Sequence, residues 1–358
     1  MSVVAIDRVA KRYGRVTALS DVSMTIADGE FFGLLGPSGG GKTTLLRSIA
    51  GFVDPDEGAI AIDGKPIQDV PINRRDIGMM FQNYALFPHL TVADNVGFGL
   101  SVRHRPRAEI AARVAELLRL VRLESHGERK PRQLSGGQQQ RIALARALAT
   151  NPKVLLLDEP LGALDKKLRE EMQIELKQIQ RDVGITTVFV THDQEEALTL
   201  SDRIAIMSEG RVEQIGPPRA LYERPRTRFV ANFLGNANFF EGRVVGRDGA
   251  LTRILLDDGS AILTTDAAAE GTRVTAAVRP EKFAVGPDAA ADADGLPRNR
   301  LAGRVTAEVF TGNAVTYRLD VAGRTVGVFV QNRAGAGPAE GDTLQLSWSP
   351  AHTVLVEG

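Results

Sequence analysis

The chain has 358 residues, of which 43% are apolar and 25% charged, and its formal net charge is +0. This length predicts two or three domains with buried cores, and the balanced charge gives no general attraction to nucleic acid or to an acidic surface. The absence of cysteine excludes disulfides, thiolate zinc sites and a cysteine nucleophile.

Up to about Asn232, short apolar runs alternate with helical stretches, which predicts a mainly parallel sheet covered by helices. The first segment, Met1–Val9, is predicted to be a strand and lacks the basic-then-apolar pattern of a secretion signal. Unbroken apolar runs predict strands buried on both faces; these runs are Phe31–Leu35, Val154–Leu157, Ile185–Val190 and Ile204–Met207. Lys167–Asp182 has its apolar residues on one face and predicts a helix.

A phosphate-binding pattern, Gly36-Pro-Ser-Gly-Gly-Gly-Lys42-Thr43, follows the first buried run and leads into a predicted helix over Thr44–Ala50. Glycines let backbone N–H groups turn toward phosphates, and the helix N-terminus adds a favourable dipole. Lys42 can reach the β- and γ-phosphates of ATP, and the Thr43 hydroxyl can ligate Mg²⁺. The residues predicted to contact the nucleotide here are Gly36, Ser38, Gly39, Gly41, Lys42, Thr43 and Thr44.

A second glycine-rich segment, Leu134-Ser-Gly-Gly-Gln138, precedes a helix predicted to begin near Gln139. A serine and two glycines at a helix N-terminus form an anion site that contains no lysine. On its own the segment is a common loop. Beside a phosphate loop, it is typical of a surface that closes on ATP held by another copy of the chain.

Two adjacent acids, Asp158 and Glu159, end the buried run Val154–Leu157. A carboxylate at that sheet edge suits a Mg²⁺ contact through Asp158, and Glu159 can accept a proton from an attacking water as a general base. The alternative, that the two acids only cap the next helix, is weaker once the phosphate loop is considered.

After about Phe239 the pattern changes to short strands separated by Gly and Pro. Ala314–Val321 alternates strictly, Val305, Ala307 and Val309 are predicted to share one face, and Thr325–Val330 and Thr343–Trp348 are further predicted strands. Such alternation predicts half-buried antiparallel sheets in a small sandwich or barrel. We therefore expect two domains, residues 1–236 and 237–358.

The order and spacing of five motifs resemble those of the ATP-binding-cassette (ABC) ATPases over essentially the whole chain. The motifs are the phosphate loop, Gln82, Leu134–Gln138, Asp158-Glu159 and His192. The resemblance implies an α/β P-loop ATPase domain with a helical signature subdomain, followed by an all-β, OB-like TOBE domain. It also implies ATP hydrolysis coupled to transport, with ATP and Mg²⁺ as cofactors.

The resemblance assigns further roles near the nucleotide. Tyr13 would stack on adenine, and Gln82 would touch Mg²⁺ and the attacking water and sense the membrane partner. With Thr43 and Asp158, Gln82 completes the implied metal ligands. A lone exposed tyrosine is more often simple surface packing, so the role of Tyr13 depends on the other motifs.

Four residues are assigned to the second nucleotide surface and to signalling between sites. Ser135 and Gly137, with Gln138 beside them, would bind the γ-phosphate of the ATP held by the opposite subunit. Asp165 would lie in the loop that signals between the two sites. His192 would hold the γ-phosphate and the catalytic geometry, so Glu159, His192 and Gln82 form the implied catalytic set.

The segment Val278-Arg-Pro-Glu281, followed by strands, resembles the TOBE domain of bacterial importer ATPases, where it mediates dimerisation. The implied partners are a second copy in a head-to-tail ATP sandwich, two transmembrane permease subunits and, indirectly, a solute-binding protein. Gln82–His89 would receive a permease helix. We expect the chain at the cytoplasmic face of the bacterial inner membrane, as a peripheral subunit, with no nucleic-acid partner.

Three segments look most like the spermidine/putrescine importer ATPases: Leu164–Met172, Thr191–Leu198 and Phe229–Asn238. Importers of ferric iron, phosphonate and sulfate share most of these segments and stay open as alternatives. A soluble ABC ATPase of translation or DNA repair is a different class. Such proteins usually carry two cassettes or a long coiled-coil insertion, and neither is present here.

Overall fold

The computed structural model describes residues 2–162, 164–286, 296–332 and 337–357. It divides into two compact units, Met1–Arg219 and Ala220–Gly358. The boundary after residue 236 stays a prediction about where the two functional domains meet. Within the described ranges, no helix combines the length and apolar character needed to cross a membrane.

Strands β1–β10 belong to the first unit. They are β1 (Val4–Tyr13), β2 (Val16–Ile26), β3 (Phe31–Leu35), β4 (Glu57–Ile62), β5 (Lys65–Pro66), β6 (Ile77–Met80), β7 (Val154–Asp158), β8 (Thr186–Thr191), β9 (Arg203–Ser208) and β10 (Arg211–Gly216). Four of them form an antiparallel sheet in the order β2-β1-β4-β5. The other six form a sheet in the order β10-β9-β3-β8-β7-β6, parallel except for β10.

Helices pack on both faces of the six-stranded sheet. They are α1 (Lys42–Ala50), α2 (Val92–Val102), α3 (Arg107–Leu120), α4 (Gly136–Leu148), α5 (Lys166–Val183), α6 (Gln194–Leu200) and α7 (Pro218–Glu223). Phe31 and Phe189 pack with α2–α5, whereas Phe32 and Leu34 pack with α1 and the antiparallel sheet. Alternate residues of the same strands therefore face two different cores, as expected for strands buried on both faces.

The four buried apolar runs and the helix over Lys167–Asp182 are confirmed, with ends that differ by at most one residue. The antiparallel sheet was not predicted. Its first strand pairs with β2 and with β4, and Val4 lies opposite both Ile26 and Ile62. The spacing of apolar residues in a segment predicts a strand, but it does not show which distant strand that segment pairs with.

The strand order brings four loops to one edge of the parallel sheet. Strands β3, β8, β7 and β6 are neighbours, and the carboxyl ends of parallel strands meet at the same edge. The loop that begins at Gly36 follows β3, His192 follows β8, Asp158 and Glu159 end and follow β7, and Gln82 comes two residues after β6. This edge is therefore the candidate site.

The described residues of the second unit contain the last four residues of α7, the helix α8 (Arg228–Phe233) and ten strands. The strands are β11 (Asn238–Asp248), β12 (Leu251–Leu256), β13 (Ala261–Thr264), β14 (Arg273–Val278), β15 (Ala284–Val285), β16 (Asn299–Phe310), β17 (Ala314–Val321), β18 (Arg324–Gln331), β19 (Thr343–Trp348) and β20 (Val354–Val356). They form two antiparallel sheets, ordered β13-β12-β11-β14-β20 and β15-β19-β16-β17-β18.

Both sheets share one core centred on Trp348, which is fully buried. The Trp348 ring stacks on Phe240 at 6.0 Å and meets Phe283 edge-on at 5.0 Å, while its Nε1 donates to Thr353 Oγ1 at 2.9 Å. Two antiparallel sheets around one core agree with the predicted small sandwich.

The prediction that Val305, Ala307 and Val309 share one buried face is wrong. Val305 is 1% exposed, but Val309 is 46% exposed. The register shifts between Val305 and Ala307, because Val305 lies opposite Leu319 while Ala307 lies opposite Arg318. This β-bulge adds one residue to β16 and moves the residues after it to the other face.

Candidate functional site

The phosphate loop has the backbone geometry that its glycines predict. Helix α1 begins at Lys42, two residues before the predicted start, and Gly41 caps it with a φ of 95°. A Cβ on Gly41 would lie 2.5 Å from the carbonyl oxygen of Ala18, and a Cβ on Gly36 would overlap the carbonyl oxygen of Met207. Both positions therefore require glycine for close approach, and Gly41 also requires it for its conformation.

Lys42 lies inside this loop and is 6% exposed. Its Nζ donates to the carbonyl oxygens of Gly36 and Pro37 at 2.7 and 2.8 Å. Burial lowers the pKa of Lys42, although the charge of Glu159 opposes this shift. A desolvated ammonium held in a glycine-rich loop binds phosphate oxygens strongly.

The other predicted residues of the loop lie around this ammonium. Ser38 and Gly39 are exposed on the outer part of the loop, where Gly39 has a φ of 79°. Thr43 and Thr44 fall in the first turn of α1 and are half-buried. Thr43 thus directly follows Lys42, the first residue of the helix.

Asp158 and Glu159 have different environments although they are adjacent. Asp158 is 7% exposed, and burial raises the pKa of its carboxyl, with Arg47 lowering and Glu159 further raising it. Glu159 has a φ of 46°, a conformation that costs a non-glycine residue about 1–2 kcal/mol, and its backbone N–H donates to Val190 O at 3.0 Å. In this conformation the Glu159 carboxylate contacts Gln82 and His192.

Gln82, Glu159 and His192 meet at one point. Gln82 Nε2 donates to Glu159 Oε2 at 2.6 Å, and His192 Nδ1 lies 3.3 Å from Glu159 Oε1. The structure therefore brings together the three residues predicted to be catalytic, which come from loops after three different strands. Glu159 sits between an amide and an imidazole that can orient its carboxylate.

Tyr13 is the last residue of β1 and is 50% exposed, with Lys11 Nζ 5.7 Å from its ring centroid. The following strand, β2, touches the phosphate loop, since a Cβ on Gly41 would lie 2.5 Å from the carbonyl oxygen of Ala18. Tyr13 thus lies at the turn of a hairpin whose second strand contacts the phosphate loop.

Ser135 and Gln138 form a capping box at the start of α4, which begins at Gly136 rather than near Gln139. Gln138 N donates to Ser135 Oγ at 3.3 Å, and Ser135 N donates to Gln138 Oε1 at 3.0 Å. The N–H groups of Gly136 and Gly137 precede the first intrahelical bonds. Among the described residues, no hydrogen bond or ion pair joins Ser135, Gly137 or Gln138 to the phosphate loop.

Asp165 caps α5, because Leu168 N donates to its Oδ1 at 3.0 Å. A Cβ on Gly136 would lie 3.4 Å from Leu164, and one on Gly137 would lie 3.4 Å from Leu168. The starts of α4 and α5 are therefore packed together, so that Asp165 lies beside the second predicted anion site. Ala163, in the predicted signalling loop, lies outside the described residues.

A buried network behind His192 was not predicted. Glu196 is 2% exposed and accepts a hydrogen bond from Thr191 Oγ1, while Asp193 caps α6 by accepting from Glu196 N at 3.2 Å. Asp193 also pairs with Arg169 at 2.9 Å. The spacing of Asp193 and Glu196 is that of a helix start with an acid at its third position, so this signal was present in the sequence.

We expect Glu196 to make stability depend on pH. Burial raises its pKa from 4.5 to about 7, against the lowering effect of Thr191, so its contribution is fully present below pH 4.5 and is lost as pH rises through 7. Glu196→Gln removes this titration. Between pH 5 and pH 8 the variant should therefore gain up to about 3 kcal/mol of unfolding free energy relative to the parent chain.

Urea unfolding at both pH values measures this difference, and the exposed neighbour Glu195 provides the control substitution Glu195→Gln. Equal pH dependence in the parent chain and the Glu196→Gln variant would contradict the assignment of a raised pKa to Glu196.

Two family models match the chain. The model described as ABC transporter matches residues 19–162, and the model described as TOBE domain matches residues 276–356. The first match contains the phosphate loop, Gln82, Ser135 and Glu159. The second covers most of the strands of the second unit.

Curated relatives match over nearly the whole chain. The spermidine/putrescine import ATP-binding protein PotA of Thermobifida fusca is 50% identical over 99% of this chain and 94% of its own length. The protein of the same name from Rubrobacter xylanophilus is 49% identical, with the same coverage of both chains.

Solved structures match about three fifths of the chain. The dimeric structure of MJ0796, a bacterial ABC transporter cassette, is 39% identical, covers 60% of this chain and 99% of its own, and has a TM-score of 0.54. A post-hydrolysis state of the same cassette, bound to ADP and Pi, matches with the same values. The structure of cbiO1 from Clostridium perfringens, part of an ABC transporter complex, is 34% identical over 61% of this chain and 89% of its own, with a TM-score of 0.57.

Proposed function

Since the chain belongs to the family of ABC transporter ATP-binding proteins, we propose that it hydrolyses ATP to drive the import of a polyamine, spermidine or putrescine. The observation that carries the ATPase assignment is the position of Glu159, bonded to Gln82 at 2.6 Å and 3.3 Å from His192. The polyamine is supported by the names of relatives about 50% identical to this chain over almost its full length.

The residues at the sheet edge account for each part of the hydrolysis. The glycine loop and Lys42 bind the phosphates, and Tyr13 stacks on the adenine. The oxygen of a water molecule attacks the γ-phosphorus, the bond to the β,γ-bridging oxygen breaks, and ADP leaves. Glu159 accepts the proton that the water loses, while Gln82 and His192 keep its carboxylate oriented.

The residues present also fit a Mg²⁺ ion, which would neutralise charge on the β- and γ-phosphates. Thr43, Asp158 and Gln82 would hold it. Among the described residues, no group of three or more His, Asp or Glu side chains could hold a metal alone; Mg²⁺ typically takes one or two carboxylates together with substrate phosphates. Gln82 uses its Nε2 on Glu159, which leaves its amide oxygen free to act as a ligand.

A second copy of the chain would complete each nucleotide site in a head-to-tail sandwich. Ser135, Gly137 and Gln138 would meet the γ-phosphate of the ATP that the opposite copy holds, and Asp165 would connect the two sites. The free N–H groups at the start of α4 support this proposal, because helix N-termini bind phosphate well. The dimeric state of the solved relative supports it too.

Two permease subunits would dock at the segment Gln82–His89. Phe81, the residue before it, is exposed, and its ring packs against exposed Phe52 with the centroids 6.0 Å apart, so an aromatic surface lies at the start of this segment. ATP binding would favour the closed dimer through phosphate contacts from both copies, and rigid-body motion would move the permeases. A solute-binding protein would deliver the polyamine, and the chain would be peripheral at the cytoplasmic face of the inner membrane.

Purification of the tagged chain from detergent-solubilised membranes tests the transport role. We expect two transmembrane subunits and a solute-binding protein that binds spermidine or putrescine in a calorimetric titration. A binding protein that takes only ferric iron, phosphonate or sulfate would replace the polyamine. Partners that are ribosomal, DNA-bound or otherwise free of the membrane would remove the transport role and leave the ATPase.

A further inference from the structure

The loop after Gln82 has an unusual backbone. Tyr84 and Ala85 are consecutive non-glycine residues with positive φ angles of 57° and 46°. Left-handed conformations are unfavourable for residues with a Cβ and persist only where surrounding contacts hold them. The Tyr84 N–H donates to Phe81 O at 2.8 Å, which closes the turn directly behind Gln82.

One side chain from another element holds this turn. Arg146, on α4, donates from Nη2 to Tyr84 O at 2.7 Å and from Nη1 to Ala85 O at 2.6 Å. Its guanidinium also lies over the Phe87 ring, 5.6 Å from the centroid. The planar fork of arginine can reach two adjacent carbonyl oxygens at once, which the single ammonium of lysine does less well.

Arg146 is half-buried, and this burial lowers the pKa of its guanidinium. Among the described residues, no carboxylate forms an ion pair with Arg146. Its guanidinium donates instead to the two carbonyl oxygens of the turn. Removing a charged group from water costs free energy, and the hydrogen bonds from Arg146 to the strained turn offset that cost.

The end of the loop is fixed separately on α2. Asn95, fully buried, accepts from Phe87 N at 2.8 Å and donates to Phe87 O at 3.1 Å and to Thr91 O at 2.9 Å. The loop from Gln82 to Phe87 is thus attached to α4 at its middle and to α2 at its end. Helix α4 starts at the Ser135 cap, so the same helix contains both Arg146 and the second anion site.

We propose that Arg146 is a positioning residue that holds the Gln82 loop against α4. It keeps the Gln82 amide within reach of Glu159. It also links movements of the loop to the helix that begins after Ser135. This inference deepens the proposed function and rests on it for its consequence for ATP turnover. The placement of the loop by Arg146 can be measured without any activity.

Amide hydrogen exchange on the full chain, read by mass spectrometry, tests the placement. Arg146→Ala should raise exchange rates in the peptide over residues 82–87 at least about tenfold, with little change in the peptide of the phosphate loop. Arg146→Lys, which keeps the charge but not the fork, should give an intermediate change. Arg141→Ala is the matched control, because Arg141 lies on the same helix but pairs with Glu175 at 2.6 Å.

Steady-state ATP hydrolysis provides the second readout. We expect Arg146→Ala to lower kcat about tenfold while the KM for ATP changes less than about twofold, because the phosphate loop is untouched. Ala85→Gly in the same variant should recover a large part of kcat, since glycine adopts the left-handed conformation without a steric penalty. If Arg146 only stabilised the fold as a whole, Ala85→Gly would not restore kcat.

Each outcome decides one question. Unchanged exchange over residues 82–87 in both Arg146 variants overturns the inference, and so does a loss of kcat that Ala85→Gly leaves unrelieved. A parent chain that hydrolyses no ATP would instead overturn the proposed function, and the exchange rates would still decide the role of Arg146.

Discussion

Glu159→Gln is expected to lower the turnover number for ATP by about 100-fold or more while ATP still binds. The amide keeps the size of the side chain and can still bond to Gln82 and His192, but it cannot accept the proton of the attacking water. Lys42 and the phosphate loop are unchanged. With hydrolysis blocked, the ATP-bound dimer should accumulate, because reopening requires the loss of the γ-phosphate contacts.

Phosphate release, equilibrium binding of ATP and size-exclusion chromatography with ATP measure the three parts of this expectation. Glu195→Gln is the control, an exposed acid on the helix that follows His192. Unaltered turnover in Glu159→Gln would remove Glu159 from the role of general base, and a loss of ATP affinity equal to the loss of turnover would make it a binding residue.

Lys42→Ala should weaken ATP binding itself, raising the dissociation constant at least about tenfold. The substitution removes a buried ammonium that two loop carbonyls direct into the phosphate loop, and a charge-assisted hydrogen bond to a phosphate contributes about 1.5–3 kcal/mol. The melting temperature is measured alongside, because the substitution also removes the hydrogen bonds from Lys42 to Gly36 O and Pro37 O.

Calorimetric titration with ATP and Mg²⁺ measures the change, and Lys65→Ala, at an exposed lysine of β5, is the control. Normal ATP affinity in Lys42→Ala would contradict the assignment of the phosphate loop. A melting temperature that falls together with the affinity would show that the substitution acts on folding.

Local patterns predicted the parts of the fold that local interactions determine. The apolar run Phe31–Leu35 is a strand to the residue, and so is the alternating segment Ala314–Val321. The start of α4 was placed three residues late, because the Ser135 cap and its partner Gln138 were interpreted only as parts of an anion site. A capping box with serine and glutamine three apart would have placed it correctly.

Long-range pairing accounts for what was not predicted. The four-stranded antiparallel sheet depends on β1 meeting β4, which is separated from it in the chain by β2, β3 and α1. The bulge near Val305 depends on the register with β17, and a bulged strand still reads as regular alternation in the sequence. Neither property is encoded in the period of a single segment.

The residues of the candidate site were predicted from the sequence, but the contacts between them were not. The order of motifs named Gln82, Glu159 and His192, whereas their contacts result from the order of β6, β7 and β8 in one sheet. Arg146 was missed because it is one of several arginines in a helical stretch. Its role depends on the carbonyl oxygens of Tyr84 and Ala85, about 60 residues earlier in the chain.

Uptake of labelled spermidine into proteoliposomes tests the central claim most directly. The vesicles would contain the chain with its co-purified permease subunits, ATP on the side of the chain, and the solute-binding protein on the other side. We predict uptake with the parent chain and ATP, and none with Glu159→Gln or without ATP. Spermidine uptake that continues undiminished with Glu159→Gln would contradict the claim that ATP hydrolysis at Glu159 drives polyamine import.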